Sequence, residues 1–349
     1  MPRVLVARLD SMGDVLLAGP AVRAVAARAE VVMLCGPRGE HAAMMLPGVS
    51  RAIVWEAPWV SDPAPPTDRG SVDRIVALVR AAEVDEAVIL TSFHQSPLPL
   101  ALLLRLAGVR RITGASVDYP GSLLDVRLRP GEDLPEDIPE SERGLAIAEA
   151  AGFVRADDGT LRIRPVPPTF RLTGSAPYFV LHPGAAVAAR RWPAERYAEA
   201  ARLLATRGRR VVLTGGPDER GLTGRIAREA PDALDLGGAC SLPAPAGVLK
   251  GADVVVTGNT GPAHLAAAVG TPVVSLFSPV VPAVKWAPHG VPSVLLGDQS
   301  APCRGTRARE CPVPGHPCLS DVEAETAVAA AIELAEGTSH RTCTEGALA

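Results

Sequence analysis

Lysine is nearly missing from this chain: Lys250 and Lys285 are the only two in 349 residues, and arginine supplies the rest of the 35 basic side chains. Set against 38 acidic residues, they leave a formal net charge of -3, which points away from a nucleic-acid or membrane-surface binder. The six cysteines are too few and too unevenly spread for a disulfide scaffold, as expected of a reducing compartment. Long apolar runs are absent too. Segments such as V-V-M-L at 31–34 are short, and the chain opens on a strand pattern with no signal-peptide core, so a cytoplasmic protein with at most peripheral membrane contact is expected. Two common nucleotide fingerprints are also missing: there is no G-x-x-x-x-G-K-[ST], and no G-x-G-x-x-G follows the first strand. Their absence disfavours a P-loop nucleotidase and a nicotinamide dehydrogenase.

What is present is an alternation of short β-branched runs with alanine- and leucine-rich stretches of helical period, the pattern of parallel sheets covered by helices. The fold class is read as α/β, and the length suggests about two domains. Strands are expected at 3–7, 31–34, 51–54, 85–90, 178–181, 210–213 and 253–257, with first-half helices at 15–29, 71–81 and 97–107. Residues 57–70 hold four prolines and read as a surface loop of the kind that walls a substrate site. A second proline-rich stretch, 164–177, reads as an interdomain linker. The expected division is 1–165, a linker at 166–177, a second domain at 178–320, a C-terminal helix at 321–336 and a flexible tail at 337–349.

Three strand ends in the second half deliver glycine-containing loops: H-P-G-A from His182, T-G-G-P from Thr214 and G-N-T-G-P-A-H-L from Gly258. In an open parallel sheet such loops share the edge beyond the carboxyl ends of the strands, where ligands bind. The last of them leads into a helix whose unpaired N–H groups suit an anion, with Thr260, Gly261 and His264 positioned to contribute; an ordinary strand-turn-helix capped by Thr260 is the competing reading. In the first half, R-L-D-S-M-G-D-V at 8–15 places Asp10 and Asp14 directly after the first strand. Asp14 is a candidate general base or, alternatively, a helix cap, and Asp10 reads as structural or solvated. His94 and Gln95 in S-F-H-Q-S are candidates to line an acceptor site, with a structural role as the competing reading. Cys303, Cys311, His316 and Cys318 are four potential ligands without a standard zinc spacing, and a metal site and a local structural role are the competing readings.

Four blocks, in one order, carry a resemblance: the N-terminal M-P-R-V-L-V-A-R-L-D-S-M-G-D-V, then H-P-G-A with R-R-W-P-A-E-R-Y, T-G-G-P-D-E, and N-T-G-P-A-H-L-A-A-A-V-G-T-P. Together they resemble glycosyltransferase family 9, the lipopolysaccharide heptosyltransferases. The resemblance implies a GT-B fold, two Rossmann-like domains facing across a cleft, with the C-terminal helix returning to the first. It also implies an inverting transfer of a sugar, a heptose, from an ADP-activated donor without a metal or other cofactor. The acceptor, held by the first domain, would be a glycan, a lipid-linked glycan or a small molecule. Asp14 then matches the acceptor-deprotonating aspartate, Thr260, Gly261 and His264 the donor diphosphate loop, and Gly215 and Gly216 the loop beside the nucleoside. Two positions depart from the family pattern: Arg190 stands where lysine is common, and Asn259 where aspartate is usual. Two rival readings remain, a GT-B sugar-nucleotide epimerase and a catalytically inert sugar-nucleotide-binding protein.

Overall fold

A computed structural model describes residues 1–239 and 244–346, and the chain divides into two compact units between Arg164 and Pro165, inside the proline-rich stretch. In the first unit β1 (Arg3–Arg8), β2 (Glu30–Cys35), β3 (Val49–Val54), β4 (Glu86–Ile89), β5 (Arg111–Ala115) and β6 (Val126–Leu128) form one parallel sheet in the order β3-β2-β1-β4-β5-β6. The central strand β1 is buried on both faces from Val4 onward, which is why it reads as a continuous apolar run. Its alternate residues serve opposite layers: Leu5 and Ala7 join Val32, Leu34 and Ile89 against Ile75, Val79, Leu100 and Leu104 from the helices Arg69–Ala82 and Leu98–Leu106.

The second unit repeats the plan with β7 (Tyr178–His182), β8 (Arg210–Leu213), β9 (Leu234–Asp235), β10 (Val254–Gly258), β11 (Val273–Leu276) and β12 (Ser293–Leu296), ordered β12-β11-β10-β7-β8-β9 and all parallel. In each sheet the chain starts at an inner strand, winds outward to one side, then returns to build the other. The reversal lies between β1 and β4 in the first unit and between β7 and β10 in the second. At such a point the two neighbouring loops diverge and leave a crevice at the carboxyl end of the sheet.

Several local expectations are corrected. A single helix over 15–29 is replaced by two, Met12–Leu17 and Gly19–Ala26, because Pro20 supplies no N–H and enters best in a first turn. Strands β5, β6, β9, β11 and β12 had no counterpart in the pattern reading. The final helix runs Ala324–Gly346, through most of the stretch expected as a tail, while 347–349 lie outside the described residues. Its Ala327, Val328, Ala331 and Ala335 pack into the core of the second unit with Tyr197, Ala201 and Leu204 of the helix Ala194–Thr206. Among the described residues no helix is long and apolar enough to cross a membrane.

Candidate functional site

At the reversal in the first unit the last residue of β1, Arg8, turns its side chain into the protein, leaving it 4% exposed. A buried guanidinium needs countercharge on several sides. Three carboxylates supply it: Asp10 at 3.0 Å from Nε, Asp14 at 3.0 Å from Nη2 and Glu140 at 3.3 Å from Nη1. Nη2 also donates to the Ser92 hydroxyl at 2.6 Å, beyond the end of β4. Burial by itself would lower the pKa of Arg8, and the attraction of Asp10, Asp14 and Glu140 outweighs it, so Arg8 stays charged. Burial raises the carboxyl groups of Asp10 and Glu140 above their ordinary values despite the pull of Arg8 on both.

Asp14 sits in the first turn of the helix Met12–Leu17, whose N-cap is Ser11 rather than Asp14. The helix-cap reading is thereby set aside. One carboxylate oxygen accepts from Arg8, and the other accepts from the Ser11 hydroxyl at 3.0 Å, so the group is oriented from two sides. Asp10 is structural: it pairs with Arg8 and accepts from the Gln95 amide at 2.5 Å. Gln95 is therefore joined to the Asp14 cluster, and its carbonyl oxygen accepts from the Ser92 N–H at 3.1 Å. His94 is exposed, with its ring edge-on to Phe93 at 5.2 Å between centroids. Beside Gln95 runs a narrow apolar slot walled by Trp59, Val60, Ile89, Pro97 and Leu100. Trp59 belongs to the proline-rich loop.

In the second unit the crevice is built on an anchored segment. Trp192 is 3% exposed, donates its indole N–H to the Val322 carbonyl at 3.0 Å and meets Tyr197 edge-on, while the Tyr197 hydroxyl donates to the His182 carbonyl at 3.1 Å. Two residues before this anchor, Arg190 crosses the end of β10, where its Nη1 donates to the Asn259 carbonyl at 3.4 Å. The crossing requires Gly258, since a Cβ there would lie 2.8 Å from the Arg190 carbonyl oxygen. Thr260 is the extended N-cap of the helix Gly261–Ala268 and makes no side-chain cap bond, so the strand-turn-helix is not the ordinary capped one. Gly261 opens the helix and His264, 4% exposed, occupies its first turn. Arg190, Thr260, Gly261 and His264 thus converge around one strand end.

Gly215 and Gly216 follow β8, which β7 separates from β10. The Gly216 N–H donates to Glu219 at 2.7 Å, and that carboxylate packs so closely on Gly184 that a Cβ there would lie 1.9 Å from its oxygen. His182, at the end of β7, is within 3.0 Å of the Thr214 hydroxyl and 3.6 Å of Glu219. Burial lowers its pKa, and Glu219 opposes the shift.

Asn259 is engaged by the fold. Its amide donates to the Ser278 carbonyl and accepts from the Ser278 N–H, both at 3.3 Å, a pairing that also assigns the two amide atoms. An aspartate could make only the second bond. Asn259→Asp is expected to cost about 1–3 kcal/mol at neutral pH, because one backbone carbonyl loses its donor and a carboxylate is buried. Protonation restores a donor, so the deficit should shrink as pH falls. An unchanged melting temperature at pH 8 would contradict this role.

The cysteine-rich segment is bonded within itself and to the chain at Ala189. Cys303 and Cys318 are buried, burial pushes the Cys318 thiol up to about 11, and the Cys311 thiol donates to the Val313 carbonyl at 3.3 Å. His316 donates its Nε2–H to the Ala189 carbonyl at 3.1 Å. Among the described residues no group of three or more His, Cys, Asp or Glu side chains is arranged to hold a metal ion.

Pattern reading missed Arg8, Ser92, Glu140 and Arg143 in the first unit and Glu219 in the second. Arg8 carried one usable signal, a charge closing an otherwise buried strand. Glu140 carried none, since it meets Arg8 across 132 residues.

The profile described as glycosyltransferase family 9 (heptosyltransferase) matches residues 136–315. Lipopolysaccharide heptosyltransferase 1 of Pseudomonas aeruginosa is 38% identical over 131 residues, 37% of this chain and 36% of that protein. With it, two further curated heptosyltransferases are matched over only about a third of their own length. Lipopolysaccharide heptosyltransferase 2 of Escherichia coli K12 is 25% identical over 311 residues, covering 80% of this chain and 84% of that protein. The solved structure of E. coli ADP-heptose LPS heptosyltransferase II superposes with a TM-score of 0.74 at 20% identity, covering 97% of this chain and 100% of that one. At that identity the likeness speaks for the fold, two parallel-sheet α/β units of the GT-B kind.

Proposed function

The chain belongs to glycosyltransferase family 9, and from that premise we propose that it is an inverting glycosyltransferase acting in the cytoplasm, using a nucleoside-diphosphate sugar and a hydroxyl acceptor. The donor is an ADP-heptose, a reading supported by the E. coli relative named for it. The acceptor is a glycan, free or lipid-linked, or a small molecule. The observation that carries this reading is the contrast between the two strand-order reversals. One presents an oriented carboxylate, Asp14; the other presents Arg190 and a helix N-terminus with no side-chain cap.

Those two chemistries are what a single displacement needs. As the acceptor oxygen attacks the anomeric carbon, its proton passes to Asp14. The bond from that carbon to the diphosphate breaks, and the electron pair leaves with the nucleoside diphosphate. Negative charge grows there, and Arg190, the Gly261 N–H at the helix start and the His264 side chain stabilise it, each well-placed donor contributing roughly a few kcal/mol to the transition state. Attack opposite the leaving group inverts the configuration. Gly215 and Gly216 flank the nucleoside, and Gln95, His94 and the Trp59 slot border the acceptor.

Neither departure from the family pattern argues for an inert protein. Arg190 keeps the cationic charge with a forked donor set, and the Asn259 amide is bonded to Ser278. The first-unit domain binds acceptor and the second binds donor in this reading, so each can be tested alone. Titration with ADP should show binding that Gly258→Ala weakens by roughly tenfold, about 1.4 kcal/mol, because the added Cβ displaces Arg190. Incubation with ADP-heptose should release ADP rapidly only when an acceptor is present, with an inverted product. Rapid release without acceptor would favour the epimerase, and binding without any turnover over an acceptor panel would favour the inert reading.

A further inference from the structure

The carboxylate of Glu140 has no place in the displacement just described, yet it is among the most buried charges in the protein. Its side chain is 1% exposed and its Oε2 meets Arg8 at 3.3 Å. Glu140 opens the helix Glu140–Ala150, on whose next turn Arg143 lies 2% exposed, donating to the Thr91 carbonyl at 3.3 Å. Around Arg8, then, Asp10 and Asp14 come from the segment after β1, Ser92 from the segment after β4, and Glu140 from this helix. Arg143 and Glu136 act on Glu140 and its helix, and Arg38 acts on Asp10.

We propose that Glu140 is a positioning residue for the transfer step, acting through Arg8 to fix the direction and the strength of the charge that Arg8 presents to Asp14. The inference rests on the reading of Asp14 as the base. A guanidinium with three edges has one conformation that satisfies three carboxylates, and Glu140 holds the edge remote from the other two. Without the Glu140 charge, Arg8 stays tethered by Asp10, Asp14 and Ser92, and its full positive charge falls on the two remaining carboxylates. Asp14 also loses a like-charged neighbour, for Asp14 and Glu140 repel each other. Both changes act in one direction: they make Asp14 easier to ionise and a poorer base.

Glu140→Gln is the informative variant, since it keeps the shape and removes the charge. It also removes a buried carboxylate whose ionisation burial disfavours, so the variant is expected to fold. The acid limb of the kcat/KM profile should move down by about one pH unit, as for a nearby charge removed. Plateau kcat should fall roughly threefold to tenfold, a part of the roughly hundredfold or more that a general base supplies, with donor KM unchanged. Glu140→Asp restores the charge and should return the limb towards its original position. The Asp14 carboxyl, followed by carbon-detected NMR in the donor-free protein, should titrate at lower pH in Glu140→Gln whether or not transfer is observed. That second readout separates this inference from the transferase reading. An Asp14 titration that Glu140→Gln leaves in place, or an equal rate loss in Glu140→Gln and Glu140→Asp with no movement of the limb, would overturn it.

Discussion

Asp14→Asn is expected to lower the rate of sugar transfer roughly hundredfold to ten-thousandfold while leaving donor affinity unchanged, the range of a positioned general base. The substitution keeps the planar side chain and its size: the amide oxygen still accepts from Arg8, and the amide N–H faces the Ser11 hydroxyl, which can turn to accept. What disappears is the capacity to take the acceptor proton. Charge balance argues that the variant folds. Around Arg8 the wild type sets Asp10, Asp14 and Glu140 against Arg8 and Arg143, three negative charges to two positive, and the variant leaves two to two. Single-turnover transfer at saturating donor measures the chemical step, and calorimetric titration with ADP measures the donor site. Full transfer activity in Asp14→Asn would remove Asp14 from the mechanism.

Arg8→Met carries the largest expected effect on stability, about 3–5 kcal/mol for the first unit, because one partner of a buried ionic cluster is deleted and the others remain. Methionine fills much of the volume, so the loss is electrostatic more than steric. In a unit of this size such a loss lowers the melting temperature by on the order of 10 °C. The pH dependence has a definite sign. Asp10 and Glu140 already titrate above their ordinary values of 3.8 and 4.5, so the folded state holds protons that the unfolded chain has released. Stability therefore falls as pH rises from those ordinary values through the raised folded ones, then levels off. Removing Arg8 takes away the attraction that limits the upward shift and widens the window. The deficit should be largest near pH 8 and shrink towards pH 4. Scanning calorimetry at the two pH values, following the first unit's own transition, tests it; a melting temperature within about 2 °C of wild type at pH 8 would show that the cluster is dispensable.

The parts of the fold legible in advance share a physical cause. Strands β1, β2, β7, β8 and β10 lie inside parallel sheets, so nearly every residue is apolar and the run stands out. Strands β6 and β9 are edge strands of 3 and 2 residues, too short to show a period, and β5 carries Gly114 in its interior. The break at Pro20 and the helical continuation to Gly346 are boundary matters that propensity decides poorly.

The candidate sites divide the same way. Glycine loops after strands and an aspartate in a glycine-containing turn are local arrangements, and Asp14, Gly258, Thr260, Gly261 and His264 could be singled out from neighbours along the chain. The arrangement Arg8–Glu140 could not, nor could the amide of Asn259 meeting Ser278 across 19 residues. By itself the sequence determined the α/β class, the glycine-containing loops after the strands and the family pattern, because these depend on apolar periodicity and short motifs. The tertiary structure alone decided that Asp14 is held by Arg8 rather than capping a helix, and that Asn259 serves the backbone. Burial turns a distant charge or amide into an obligatory partner, and which groups are buried together is a property of the folded chain.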